Sequence, residues 1–175
     1  MSVSEKSFQT SFQEWLMRLA ASLDIDFNPL DPRPEIQEWL FKVYCENGDI
    51  PVEHLAPLVY ARRARLAETA TAAVRSAFEA EGHAGQVVGL TVIPPLEAEP
   101  MGVVQFAEQR VHAIDALSIA VEVADGFQCF VADALARVWP ICSTHSTGAH
   151  PRLVADAAAW VCPTTGHVIG LIFEK

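Results

Sequence analysis

The chain has 175 residues, 51% of them hydrophobic and 19% charged, which supplies enough apolar surface for a packed core and excludes global disorder. Its 22 acidic and 12 basic residues give a formal net charge of -10, so nucleic acid or an anionic membrane surface, which needs a basic face, is disfavoured. The acidic excess lies wholly in residues 1–138, because Arg152, Lys175, Asp156 and Glu174 cancel in the remainder.

Charges at Glu5, Lys6 and Glu14 leave no apolar core for a secretory signal. The longest stretches free of acidic and basic residues, 82–96 and 157–173, are broken by prolines, and neither reads as the roughly 20 apolar residues of a spanning helix. A cytoplasmic protein without membrane association is expected.

In chain order, Phe8, Phe12, Trp15, Leu16, Leu19 and Leu23 fall on one stripe of a first helix that stops near Asp24. Pro34 and Glu35 suit the first turn of a second helix, with Ile36, Trp39, Leu40 and Val43 inward and a stop at Asn47–Gly48. A short turn over 51–56 precedes a long third helix from Pro57 to Glu81. Its expected face is Val59, Leu66, Ala70, Ala73 and Ala77, with Arg62, Arg63, Arg65 and Arg75 solvated or flanking.

Residues 86–93, "QVVGLTVI", read as a buried strand. Val104, Ala107, Val111, Ile114 and Leu117 then recur at helical spacing. Residues 118–126 suit either a strand or a continued helix. Phe127, Phe130, Val131, Ala134, Leu135 and Val138 give a last helical face that Pro140 ends.

Cys45 and Cys129 sit in apolar periodic surroundings and read as ordinary buried side chains. Cys142, His145, His150, Cys162 and His167 instead crowd into the last 34 residues. Zinc takes four sulfur or nitrogen ligands in a tetrahedron, and a tight turn delivers two of them at the spacing of "CSTH". Three protein ligands plus water would instead make an open, catalytic site.

The segment "CPTTG" resembles the knuckle turn of zinc-ribbon modules, usually C-P-x-C-G, with Thr165 where the second cysteine stands. The resemblance covers residues 142–172. Residues 152–173 alternate as strand, turn at "DAAA", strand, knuckle and strand, and the ribbon geometry implies a structural zinc on Cys142, His145 and Cys162, with His150 the favoured fourth ligand and His167 the alternative. No such resemblance extends to residues 1–138.

The expected architecture is α+β: a mainly helical body over 1–138 with one or two strands, and a docked, three-stranded ribbon-like hairpin over 139–175. No phosphate loop, nucleophile elbow or metalloprotease helix motif occurs. His112 and Asp115 form only an i, i+3 pair. These features favour a non-catalytic accessory or protein-interaction protein, self-association included, with a structural zinc site. The alternative is a small enzyme or ligand-binding protein with a pocket between the helical body and strand 86–93.

Overall fold

A computed structural model describes residues 3–22, 34–83 and 89–174. The architecture is α+β, with four helices and three small antiparallel sheets among the described residues. Among the described residues no helix is long and apolar enough to cross a membrane.

Helix α1 (Val3–Ser22) buries Phe12, Trp15, Leu16 and Leu19 against Ile36, Leu40, Val43 and Tyr44 of α2 (Pro34–Asn47). The aromatic rings meet edge-on or tilted, as their quadrupoles favour. Leu23 and the expected stop at Asp24 lie outside the described residues. Gly48, at φ +74°, closes α2 by donating its N–H to the Tyr44 carbonyl at 2.8 Å.

Helix α3 (Val52–Ala80) differs from expectation at its start and in its face. It begins at Val52 and carries Pro57 within it, so no separate turn spans 51–56. Its buried stripe includes Ala56, Val59, Arg63, Ala67, Ala70, Val74 and Phe78, whereas Ala77 is exposed. Arg63 occupies a core position because its Nε donates to the Ala113 carbonyl at 3.1 Å and a terminal nitrogen to the His112 carbonyl at 2.8 Å. Hydrogen bonds to charged groups offset burial in this way.

Arg62, expected in solvent, also turns inward. Its Nε donates to the Ile114 carbonyl at 2.9 Å, its terminal nitrogen pairs with Glu35, and the guanidinium lies 5.1 Å from the Trp39 ring. Burial lowers the Arg62 pKa, partly opposed by Glu35.

The expected buried strand over 86–93 is shorter and less buried. Strand β1 (Leu90–Ile93) leaves Thr91, Val92 and Ile93 exposed, while residues 84–88 lie outside the described set. Strand β1 pairs with β2 (Val103–Phe106), which turns into β3 (Gln109–Arg110). The helical spacing read across 104–117 is therefore a correction: this segment is a hairpin, with Ala107 at φ +52° in its two-residue turn.

Asp115 then caps α4 (Ala116–Leu135), accepting from the Ser118 N–H at 2.9 Å. The helix is continuous over 118–126, and Ala136 ends it in the left-handed region, leaving Val138 exposed. Cys45 and Cys129, expected inside, are both exposed.

Beyond α4 come the short pair β4 (Ile141–Cys142) and β5 (Thr147–Gly148), then an antiparallel meander of β6 (His150–Val154), β7 (Ala157–Val161) and β8 (Val168–Glu174). The alternation of strand, turn, strand, turn and strand expected over 152–173 is present, but the first turn is made by Ala155, at φ +50°, and Asp156, because Ala157, Ala158 and Ala159 of "DAAA" pair within β7. One core runs from Ala67, Val74 and Phe78 of α3 through Phe127 of α4 to Trp139, Trp160 and Ile172. The sheet thus buries its inner face on α3 and α4.

Candidate metal centre

Two turns with the same backbone pattern hold the centre. In the first, Ser146 at φ +53° donates its N–H to the Cys142 carbonyl at 2.8 Å, and Cys142 pairs with Thr147 across β4 and β5. In the second, Gly166 at φ +75° donates to the Cys162 carbonyl at 2.9 Å, and the Cys162 N–H donates to the His167 carbonyl at 2.9 Å. Each cysteine therefore begins a tight turn that returns its fifth following residue to the cysteine's side.

Sequence order assigns the side chains. Three residues after the cysteine stands His145 in the first turn and Thr165 in the second; five residues after it stand Thr147 and His167. The histidine and threonine have exchanged places between the turns.

Cys142, His145, Cys162 and His167 each bring one ligand atom to within 4.8 Å of all the others, close enough to hold a metal ion. The His145 Nδ1 lies 3.5 Å from the Cys142 Sγ and 3.3 Å from the Cys162 Sγ, and the His167 Nε2 lies 3.5 Å from the Cys142 Sγ. Both thiols are buried. His150, favoured from sequence as the fourth member, instead lies exposed on β6 opposite Val161, and His167 completes the group. The signal for this was the paired turn geometry, because position five of the second turn is equivalent to a strand residue already facing the first.

The electrostatics suit bound cation. Burial alone pushes the Cys162 thiol up, but the Thr164 amide, the hydroxyls of Thr147 and Thr164, and the Cys142 thiol outweigh it and lower the pKa to about 6. The Thr147 hydroxyl lies 3.7 Å from the Cys162 Sγ. The Thr165 hydroxyl lies 2.6 Å from the His167 Nδ1.

The centre is seated firmly. The Gln128 side-chain amide of α4 donates to the carbonyls of Trp139 at 2.9 Å and Ala149 at 2.5 Å, on either side of the first turn. The Trp139 Nε1 donates to Glu81 at 3.0 Å, and its ring contacts Phe78, Phe127 and Trp160.

Other features of the sequence lie apart. His112 is exposed, and Asp115 is a helix cap, so the two do not form a helical pair. His83 stacks on Phe78 with centroids 4.8 Å apart. An open groove of about 490 Å³ lies over Phe106, Gln109, Cys129, Phe130 and Asp133, and a second of about 620 Å³ over Trp15, Arg18 and Asp49; β1 lines neither.

Comparisons settle no kinship. Neither protein-family models, nor curated proteins, nor solved structures gave a match to this chain.

Proposed function

We propose that the chain is a non-catalytic accessory or protein-interaction protein whose C-terminal hairpin is a degenerate zinc ribbon, fixed by one structural zinc on Cys142, His145, Cys162 and His167. The observation that carries this reading is the mutual spacing of the four ligand atoms. Metal–ligand bonds of 2.0–2.3 Å imply tetrahedron edges of roughly 3.3–3.8 Å. The three sulfur–nitrogen separations of 3.3, 3.5 and 3.5 Å fall in that window, and the remaining pairs lie within 4.8 Å.

Four protein donors complete the coordination of zinc and leave no position for a reacting water, which favours structure over catalysis. The gathered group contains no carboxylate to act as a base. Its close sulfur–nitrogen approaches also favour a single ion over a two-iron cluster, in which thiolates and imidazoles bind different metals. The interaction half of the reading is supported by exposed Val154, Val168 and Leu171, which share the sheet face turned away from the helices.

Elemental analysis of the purified chain is expected to give about one zinc per protein, lost in Cys142→Ser; freshly prepared protein without metal would refute the reading. Sedimentation velocity tests the second half. Concentration-dependent association weakened by Leu171→Glu is expected, and a wild-type monomer at every concentration counts against self-association.

A further inference from the structure

We propose that Thr165, standing where a ribbon knuckle carries its second cysteine, is a positioning residue that makes His167 the fourth metal ligand through its Nε2. This rests on the metal reading above and adds to it a reason for the ligand exchange between the two turns.

The two histidines reach the centre from different places. His145, three residues after its cysteine, presents the Nδ1 to both sulfurs, at 3.5 and 3.3 Å. His167, five residues after its cysteine, presents the Nε2, 3.5 Å from the Cys142 Sγ. The Nε2 lies farther from the backbone than the Nδ1, so the more distant position uses the longer reach of the ring.

A neutral imidazole offers a metal one lone pair, and the hydrogen bond made by its other nitrogen decides which. The Thr165 hydroxyl oxygen lies 2.6 Å from the His167 Nδ1, and in the proposed tautomer it accepts that nitrogen's proton. The Nε2 lone pair is left facing the Cys142 Sγ. The other exchanged threonine also stands beside a ligand: the Thr147 hydroxyl lies 3.7 Å from the Cys162 Sγ, placed to donate to that sulfur when it binds a metal as thiolate. In each turn the position that lost a histidine supports one of the second turn's own donors.

The exchange makes the role separable from folding, because Thr165 is exposed and packs into no core. Zinc affinity is measured by competition with a chromophoric chelator, and cobalt(II) spectra report the number of thiolates. Thr165→Val is expected to weaken zinc binding by about 10–100-fold, and Thr165→Ser to restore it. His167→Ala is expected to lose tight binding in the natural background. Combined with Thr165→Cys it is expected to regain it, with the stronger sulfur-to-cobalt charge transfer of three thiolates.

Wild-type affinity in Thr165→Val overturns the positioning role while leaving the metal site intact. So does a Thr165→Cys/His167→Ala double variant that binds no better than His167→Ala. A wild-type chain that takes up neither zinc nor cobalt overturns the metal reading itself, and this inference with it.

Discussion

A buried guanidinium is expensive unless its donors are satisfied, and Arg63 satisfies them on the backbone of another segment. Its bonds to the His112 and Ala113 carbonyls tie α3 to the connection leading into α4. Arg63→Ala is expected to destabilise the chain by about 3–5 kcal/mol, read from urea unfolding, because it strands buried carbonyls and opens a cavity. A change below about 1 kcal/mol would show that water replaces the guanidinium. Nothing in the local sequence distinguished Arg63 from its neighbours. A charge on the apolar stripe looks like an outward residue until the acceptors, some 50 positions away, are in place. Cys129 is the opposite case, exposed yet subdued: partial burial and the nearby carboxylates of Asp125 and Asp133 raise its pKa. A raised pKa leaves less thiolate near neutral pH, so Asp133→Asn is expected to speed its reaction with a disulfide reagent, and equal rates would show that charge does not govern it.

Elements were legible where one period ran uninterrupted to a natural stop. The aromatic stripe of α1, the Asn47–Gly48 end of α2 and the three C-terminal strands are such cases. Illegible elements were those in which a second pattern mimicked the first. Val104, Ala107 and Val111 have helical spacing, yet Val103, Val104 and Phe106 are all buried in a strand covered on both faces, and Ala107 turns the chain in the left-handed region. No glycine or asparagine announced that turn. Pro57 likewise suggested a boundary, although near a helix start it removes only one backbone bond. The end of α4 offers a test at this scale. Ala136 occupies φ +49°, ψ +44°, a conformation that a Cβ disfavours by roughly 1–2 kcal/mol. Ala136→Gly is expected to stabilise the chain by up to about 1 kcal/mol after the glycine's extra unfolded-state entropy is subtracted. A lower melting temperature would mean that the cap is not strained.

For the whole molecule, the C-terminal sheet shares one core with α3 and α4 while α1 and α2 pack in another, so the centre's stability belongs to the sheet and those two helices together. Removing zinc from the proposed site is expected to lower the melting temperature recorded from the helical circular dichroism band, not only from the sheet. Loss of the hairpin in a separate, earlier transition would show that the shared core does not couple them. Trp139→Ala, at the seam, is expected to cost about 3–5 kcal/mol. The cluster of ligand-type residues was visible from Cys142 onward, but that His167 and not His150 stands within reach of the others follows from the folded distances, which spacing alone does not reveal. Trp139 and Trp160 meet at the seam with ring centroids 5.2 Å apart and planes at 73°. Two indoles so close and so inclined are expected to couple as chromophores, and the coupling is expected to vanish when Trp160 of β7 moves away from Trp139. A tryptophan exciton signal would then report docking of the sheet without an added label.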